Sequence, residues 1–219
     1  MVRRALLVSG GLLLAPVPLI LALWVIQPPL TAVMVAQTVD RLVHGTAPIW
    51  PRHTPVGRDA IAPSLRRAVI ASEDQRFYLH FGIDTIELRQ ALERRRRGGK
   101  LRGASTLTQQ VAKNLFLWNG RSYLRKGLEV YLTLWLELLL SKDRILDLYL
   151  NLAEWGTGTY GAEAAAQLHF KKHAAALTRE ESARLAAILP SPRRWSPRGA
   201  IASSRASAIL SRMQEPVAR

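Results

Sequence analysis

The feature that most constrains this chain is a long uncharged run near its N-terminus. Residues 5 to 26 read ALLVSGGLLLAPVPLILALWVI, and they follow Arg3 and Arg4. A helix that crosses a bilayer needs about 20 apolar residues, and it satisfies its own backbone polar groups there. The run therefore predicts one N-terminal transmembrane helix. Because positive charge stays inside, residues 1 to 4 are expected in the cytoplasm and the remainder outside it.

A cleaved signal peptide is the alternative, because TAVMVAQ at residues 31 to 37 resembles a small-residue cleavage site. Pro16 and Pro18 also weaken the case for a spanning helix, although bilayer helices tolerate proline. The apolar run is longer than the usual signal core of roughly 7–15 residues, so we favour an uncleaved anchor.

The charge of the chain predicts an anionic partner. Lys and Arg number 31 against 16 acidic residues, which leaves a formal net charge of +15. Such an excess suits nucleic acid, anionic lipid or a phosphate-bearing substrate, and composition does not choose among them. Because export places the chain against anionic lipid, we expect membrane lipids as partners and no nucleic acid. The sequence contains no cysteine, which excludes disulfides and thiolate metal sites.

Beyond the anchor the sequence predicts a linker and one mainly α-helical domain. Residues 27 to 58 are rich in proline and form the linker. The domain spans residues 59 to 196, where strand alternation is scarce, and residues 197 to 219 form a basic C-terminal tail. Thr178 and Glu181 have the spacing of a capping box. Helices are predicted near residues 33–43, 60–79, 84–96, 105–117, 121–140, 142–152, 160–168 and 178–189.

Between two of these helices lies ERRRRGGKLRGAS, residues 93 to 105, with four consecutive arginines and a pair of glycines. Glycine and charge together predict a mobile, strongly basic loop. The loop is either a solvated charge run or a contact with lipid head groups, where each basic residue near the surface contributes about 1 kcal/mol.

The stretch AVIASEDQRFYLHFGID, residues 68 to 84, sets two acids side by side within an apolar segment. On the predicted helix, Glu73, Phe77 and His80 are at i, i+4 and i+7 and share one face. Packing alone does not explain a carboxylate there. His80 has no second histidine at helical ligand spacing, so we interpret it as structural rather than as a metal ligand.

GASTLTQQVAKNLFL, residues 103 to 117, combines a core stripe with a polar face. The stripe is Leu107, Val111 and Leu115, and Ser105 is the predicted N-cap. The polar face is either exposed to solvent or binds a polyhydroxylated ligand that carries phosphate, because it offers hydroxyls, amides and one cation near a helix N-terminus. Its members are Thr106, Gln109, Gln110 and Lys113.

The segment RSYLRKGLEVYLTLWLELLL, residues 121 to 140, is so apolar that we expect a buried helix. Arg125 and Glu129 are one turn apart on it. They form either an i, i+4 ion pair worth roughly 0.2–0.5 kcal/mol, or an acid that projects into a cleft, where burial perturbs its pKa. The next predicted helix, KDRILDLYLN, has a stripe that we interpret as structural, made of Ile145, Leu148, Tyr149 and Leu152. Asn151 ends this helix and is expected to cap it.

The ordered motifs EDQRFYLHFGID, GASTLTQQVAKN, RKGLE and KDRILDLYLN resemble those of family 51 glycosyltransferases, the peptidoglycan glycosyltransferases. NLAEWGTGTYGAEAAAQLHF and LTREESARLAAILPSP are especially similar to the monofunctional biosynthetic peptidoglycan transglycosylases of Gram-negative bacteria, and no transpeptidase domain is expected after Arg219. The resemblance covers roughly residues 59 to 196. It implies a lysozyme-like helical lobe with a small membrane-associated jaw, a periplasmic domain on the inner membrane, and polymerisation of lipid II.

The resemblance also implies roles for individual residues. Glu73 matches the catalytic base that deprotonates the acceptor sugar 4-hydroxyl. Glu129 matches a second acid that assists the pyrophosphate side, either through a divalent ion or by ordering basic residues. Lys113 and Arg125 match groups that steady the leaving pyrophosphate. The remaining motif positions are expected to bind substrate (Ser105, Thr106, Gln109, Gln110, Arg102, Lys126, Asn151) or to support the site (Asp74, Phe77, His80).

The implied reaction is a single inverting displacement that forms a β-1,4 bond. The growing lipid-linked glycan is the donor, lipid II is the acceptor, and undecaprenyl pyrophosphate leaves. No cofactor is required, and Mg²⁺ or Mn²⁺ is allowed, although the sequence shows no dedicated cage for a hard cation. Cell-division or elongation proteins are further candidate partners.

Two other functions compete with this one. Two carboxylates in a helical domain also suit lysozyme-like cleavage of glycan, and an anchored domain without catalysis would act as a scaffold that recruits other proteins. The anchor and the pair of Lys113 and Arg125 favour a pyrophosphate donor over cleavage. Glu73 and Glu129 are both present, which argues against the scaffold.

Overall fold

The computed structural model describes residue 11 and residues 14–47, 49–99, 105–120 and 122–215. Within these ranges the chain is mainly helical, which confirms the predicted class. The helices are α1 (Val17–Ala22), α2 (Ala32–Val43), α3 (Pro63–Glu73), α4 (Thr85–Arg96), α5 (Leu107–Phe116), α6 (Tyr123–Leu139), α7 (Lys142–Leu152), α8 (Ala162–Phe170), α9 (Arg179–Ile188) and α10 (Ala200–Arg212). Short 3₁₀ turns cover Arg58–Ala60, Phe77–Leu79 and Ala174–Ala176.

One hydrophobic cluster runs through α3, α5, α7 and α9. α9 packs against α3 and α10, and α5 packs against α6 and α7. The inward residues repeat at helical spacing, as with Leu65 and Val69 on α3 and Leu107 and Val111 on α5, all of them fully buried. The predicted stripe of α5 is therefore confirmed at Leu107 and Val111, while Leu115 is only partly buried against the cluster.

A small sheet ties the linker to the helical domain. Its strands are β1 (Arg52–His53), β2 (Glu154–Gly156) and β3 (Thr159–Tyr160), in the order β1-β3-β2. β1 is parallel to β3, and β2 is antiparallel to β3. Because β1 belongs to the predicted linker, this part of the linker is held in place by backbone pairing with the domain.

The single helix predicted over residues 60–79 is two separate elements. α3 begins with Pro63, which suits a first turn because that position needs no N–H. It ends at Glu73, and Asp74 leaves the helical region with φ −159° and ψ 77°. Phe77 then starts a 3₁₀ turn. Glu73, Phe77 and His80 therefore do not share a helix face, and that prediction was wrong.

Side-chain caps set the starts of α9 and α5. Thr178 and Glu181 form the predicted capping box of α9. At α5 the cap is Thr106 and not Ser105, because the Thr106 hydroxyl accepts the Gln109 N–H while the Gln109 side chain accepts the Thr106 N–H. The reciprocal pair satisfies two N–H groups at once, which a cap one residue earlier would not do.

Among the described residues, no helix combines the length and the apolar character that a membrane span needs. The first part of the predicted anchor, residues 5–10 and 12–13, and the cytoplasmic residues 1–4 lie outside the described ranges. The described part of the segment is attached to the domain. Trp24 donates from Nε1 to the Leu139 carbonyl at 2.7 Å, and Arg144 donates to the carbonyls of Leu23 and Ile26 at 2.6 and 2.8 Å.

The helix predicted over residues 84–96 is confirmed as α4, which ends at Arg96. Residues 93–96 of the basic segment are therefore helical, and Lys100 to Ala104, which include Arg102, lie outside the described ranges. A helix also occupies part of the segment that was predicted to be a tail. α10 lies within the expected C-terminal tail, and Ala202, Ala206 and Ile209 place it in the core. Ala202 and Ala206 are small and four residues apart, which allows this close packing, whereas charge composition had indicated a tail.

Asn151 does not cap α7, which continues to Leu152. Its side chain is fully buried, and its Oδ1 accepts the Val56 N–H at 2.9 Å. Its Nδ2 donates to the Val56 carbonyl at 3.1 Å and to the Asp147 carbonyl at 2.9 Å. Asn151 therefore fastens the linker to the domain by satisfying both backbone groups of one linker residue, and the capping prediction was wrong.

We expect Asn151→Ala to destabilise the protein by about 1–3 kcal/mol, because it leaves the N–H and the carbonyl of Val56 without their partner. Urea unfolding followed by circular dichroism measures this. The matched control is Asn119→Ala at an exposed position, where a change within about 0.5 kcal/mol is expected. Equal stability of the two variants would contradict the role of Asn151.

Candidate active site

Glu73 is the last residue of α3, and its carboxylate is held from two sides. Gln110 donates from Nε2 to Glu73 Oε2 at 3.2 Å, and Ser72 donates from Oγ to Glu73 Oε1 at 3.3 Å. Burial raises the pKa of Glu73, and the bonds from Gln110 and Ser72 and the charge of Arg205 oppose this rise. A carboxylate with a raised pKa is suited to accept a proton near neutral pH.

Two cavities lie on either side of the Glu73–Gln110 contact. The Glu73 cavity has a volume of about 330 Å³ and includes Ser105 and Thr106 in its wall. The Lys113 cavity has a volume of about 530 Å³ and includes Gln110 and Lys113. Gln110 therefore lies in the wall of one cavity and bonds the acid of the other.

Asp74 holds the end of α3 against the start of α5. Its Oδ2 accepts the Leu107 N–H at 3.0 Å, and its two oxygens lie 3.0 and 3.1 Å from His80 Nε2. Phe77 is fully buried, with Lys142 Nζ 4.6 Å from its ring centroid. Phe77 and His80 thus support the site by packing against the protein, and Asp74 is held by them while it also lines the Glu73 cavity.

The polar face of α5 is not a solvent face. Thr106 and Gln109 are buried in the capping box, and Thr106 Oγ1 donates to the Gly82 carbonyl at 2.6 Å. Gly82 has φ +75°, and a Cβ there would lie 2.5 Å from Thr133 Cγ2, so only glycine fits. Ser105 is exposed and also lines the Glu73 cavity, and unlike Thr106 it has no capping role.

Glu129 is the second acid, and cations surround it. It is 3% exposed, and Arg125 Nη1 donates to its Oε2 at 2.6 Å while Lys126 Nζ donates to its Oε1. Lys126 also donates to Ser105 Oγ at 3.3 Å. The predicted i, i+4 pair is therefore present and nearly buried, and it is joined to Ser105 through Lys126.

Lys113 completes a cationic cluster with Arg125 and Lys126. Burial lowers the pKa of Lys113, and the charges of Arg125 and Lys126 act in the same direction, whereas Glu129 opposes them. A second carboxylate, Glu154, also acts on Lys113, but Arg193 is already paired with it at 3.0 Å. The three cations therefore keep an excess of positive charge over Glu129. An arrangement of this kind favours a polyanionic ligand.

The described residues contain one group that could be considered for a metal ion. Ligand atoms of Asp74, His80 and Asp84 lie within 4.8 Å of one another. However, Asp84 Oδ1 caps α4 by accepting two N–H groups, and Asp84 Oδ2 accepts Arg76 Nε at 3.1 Å. These oxygens already have protein donors, one of them cationic, so the group does not suit a divalent cation.

Some residues of the site were not found from the sequence. Arg94 on α4 and Arg212 on α10 line the Glu73 cavity, and Tyr149 lines the Lys113 cavity. Tyr149 is predicted to belong to a core stripe, and its ring is buried as expected. Its hydroxyl in addition donates to Gln110, which the stripe did not predict. No local pattern marks Arg212, because it comes from a segment far along the chain. Arg102 lies outside the described ranges.

The site lies within a region that is similar to known proteins. The sequence model of the family described as Transglycosylase matches residues 41–214. A protein named "Biosynthetic peptidoglycan transglycosylase" from Pseudomonas entomophila is 49% identical over 201 residues, which is 91% of this chain and 85% of that protein. Proteins of the same name are 49% identical over 216 residues in Pseudomonas putida (97% and 89% covered) and 51% identical over 179 residues in Xanthomonas campestris (82% and 73% covered).

We expect Glu73→Gln to be more stable than the parent at pH 7. A carboxyl whose pKa is raised by folding stabilises the fold below its unfolded pKa, and this contribution is lost as pH rises through the folded pKa. Thermal unfolding should therefore show a higher Tm for the variant at pH 7 and no difference near pH 4.

The control for this measurement is Glu181→Gln. The Lys172 side chain, 2.8 Å away, and bonds from Thr178 hold the pKa of Glu181 below its usual range, although burial opposes them. The effect of the substitution on stability is therefore opposite to that at Glu73. Glu181→Gln should lose stability at pH 7 but not at low pH. A Glu73→Gln variant that behaves like Glu181→Gln would show that Glu73 is stabilised as the anion.

Proposed function

The chain belongs to the transglycosylase family and is a peptidoglycan glycosyltransferase, and from this premise we propose that it polymerises lipid II into β-1,4-linked glycan strands. The proposal rests on two features of one site. One is Glu73, a carboxylate whose pKa is raised, and the other is the cationic cluster of Lys113, Arg125 and Lys126. The reaction needs both parts, because one substrate must lose a proton while a pyrophosphate leaves the other.

In the proposed step Glu73 acts as the general base. It takes the proton of the acceptor 4-hydroxyl as that oxygen attacks the anomeric carbon of the lipid-linked donor. The bond between this carbon and the pyrophosphate oxygen breaks with its electron pair, so undecaprenyl pyrophosphate leaves. Attack from the face opposite the α-linked pyrophosphate yields the β bond. A positioned general base typically contributes about 10²–10⁴-fold in rate.

The cationic cluster is proposed to hold the leaving pyrophosphate. Lys113 and Arg125 would neutralise charge that develops on the departing oxygens, which lowers the barrier when the donors are fixed in advance. Glu129 fixes two of the donors, because it binds Arg125 at 2.6 Å and also binds Lys126. We therefore assign Glu129 the ordering of the cluster. Ser105, Gln109 and Lys126 are assigned substrate binding or support beside it.

The surroundings of Glu129 do not suit a divalent cation. Both of its oxygens accept bonds from cationic side chains, and the charge of Glu129 also acts on a third cation, Lys113, by raising its pKa against the effect of burial. A metal ion would have to displace or approach these charges. We therefore propose that Glu129 holds Arg125 and Lys126 and is not a ligand of Mg²⁺ or Mn²⁺.

The proposed location is the inner membrane, with one N-terminal span and a periplasmic domain. Support comes from the uncharged run at residues 5–26 and from the net charge of +15, which suits anionic lipid. Phe81, Ile86 and Leu92 are exposed around α4 beside its arginines, as a small jaw in the membrane would require. Cell-division or elongation proteins remain proposed partners.

The test is polymerisation of labelled lipid II by the full chain in detergent, with products separated by size. We expect long glycan from the parent and a loss of about 10² or more in rate for Glu73→Gln. Glu180→Gln, an exposed glutamate on α9, is the matched control and should keep the parent rate.

Other outcomes select the competing functions. If the parent leaves lipid II unchanged but shortens preformed glycan, the protein is a glycan-cleaving enzyme. If it does neither, while binding division or elongation proteins, it is a scaffold. If Glu73→Gln polymerises as fast as the parent, Glu73 is not the base.

The pKa of Lys113 predicts the alkaline limb of the activity profile. Lys113 loses its charge as pH rises through a pKa that burial has lowered, so the rate should fall earlier than for an ordinary lysine. Lys113→Arg keeps the charge and should move this limb to higher pH. Lys113→Ala should reduce the rate by about 10²-fold or more. Lys172→Arg is the control and should leave the limb in place.

A further inference from the structure

Three side chains form a hydrogen-bonded chain from the wall of the Lys113 cavity to Glu73. Tyr149 on α7 donates from its hydroxyl to Gln110 Oε1 at 3.3 Å. Gln110 on α5 in turn donates from Nε2 to Glu73 Oε2 at 3.2 Å. Tyr149 is 1% exposed, so its hydroxyl has little access to water. Which group donates and which accepts in one of these bonds therefore depends on the other bond.

The amide of Gln110 has two orientations, and they act oppositely on Glu73. With the NH₂ group toward Glu73, the amide stabilises the carboxylate anion. With the carbonyl toward Glu73, two oxygens face each other, which requires a proton on the carboxyl. A phenol whose pKa is raised by burial keeps its proton and needs an acceptor. The Gln110 carbonyl is the acceptor that the structure provides, so the hydroxyl selects the first orientation.

We infer that Tyr149 is a positioning residue for the base: its hydroxyl orients the Gln110 amide so that the NH₂ group faces Glu73 Oε2. This inference rests on the proposed role of Glu73. The ring of Tyr149 fills the core, while its hydroxyl determines the ease with which Glu73 ionises. Glu73 thereby stays available as the anion at neutral pH although burial raises its pKa.

Other charged groups near Glu73 come from several elements, and a change at Tyr149 leaves them in place. Asp74 follows Glu73 in the chain and raises its pKa, and Arg205 on α10 lowers it. Arg212 on α10 lines the Glu73 cavity, as do three charged residues on or before α4, namely Asp84, Glu87 and Arg94. The effect of removing the Tyr149 hydroxyl is therefore specific to the amide orientation.

The experiment is the pH profile of kcat/KM for lipid II polymerisation by Tyr149→Phe. We expect its acid limb to move upward by roughly 0.5–1 pH unit, since a hydrogen bond of this kind is worth about 0.5–1.5 kcal/mol and one pKa unit corresponds to about 1.4 kcal/mol. The rate should fall several-fold at neutral pH and approach that of the parent at alkaline pH. A merely structural change would lower the rate at every pH.

The matched control is Tyr160→Phe. Tyr160 is 2% exposed and its hydroxyl also bonds a glutamine, Gln37 Oε1, at 2.5 Å. This variant loses the same kind of buried bond, but Gln37 is not bonded to Glu73. Its acid limb should stay where the parent has it. A shift equal to that of Tyr149→Phe would attribute the effect to general loosening and overturn the inference.

A double variant tests whether the effect passes through Gln110. In the Gln110→Leu background, Tyr149→Phe should add no further shift, because the amide that it orients is absent. Additive shifts would overturn the inference, since Tyr149 would then act on Glu73 by another route. An unchanged limb in the single variant would also overturn it.

A second readout does not depend on polymerisation. The ¹³C carboxyl signal of Glu73, identified by its absence from Glu73→Gln, is titrated in the parent and in Tyr149→Phe. The inference expects the higher pKa in Tyr149→Phe. If the parent fails to polymerise lipid II while this pKa shift is present, the proposed function fails and the Tyr149 contact stands. If polymerisation occurs and the pKa of Glu73 is the same in Tyr149→Phe as in the parent, the proposed function stands and the inference about Tyr149 fails.

Discussion

The bonds of Asp74 set the geometry on which the site depends. Its carboxylate accepts the first N–H of α5 from Leu107 and also binds His80, which stops α3 at Glu73. Three elements therefore meet at one side chain. Because α5 starts at this point, Gln110 lies one turn later and reaches Glu73. Without the bonds of Asp74, this junction would not hold α3, which carries Glu73, at a fixed distance from α5, which carries Gln110.

The two acids of the site have opposite surroundings, and this difference separates their proposed roles. Glu73 lies at a helix end, where burial disfavours its anion, and its hydrogen-bond donors Gln110 and Ser72 are neutral. Glu129 lies between Arg125 and Lys126, so its charge is compensated. An acid of the first kind can exchange a proton, whereas an acid of the second kind holds cations in place.

Local patterns predicted the elements better than their ends. The helices with strong apolar periodicity and good caps, such as α9 with Thr178 and Glu181, were found close to their observed bounds. The helix predicted through residue 79 failed because Asp74 makes tertiary bonds that outweigh helical propensity. The cap of α5 was misplaced by one residue, since only the reciprocal bond with Gln109 distinguishes Thr106 from Ser105.

The sequence by itself determined the helical class and the identity of the candidate acids, because apolar periodicity and the i, i+4 spacing of Arg125 and Glu129 are local properties. Only the tertiary structure decided which groups surround those acids. Asn151, expected at a helix end, fastens the linker, and Tyr149, assigned to the core, reaches Gln110. Arg212 joins the Glu73 cavity from a distant helix. Such contacts depend on how helices pack, and residues far apart in sequence carry no local signal of their approach.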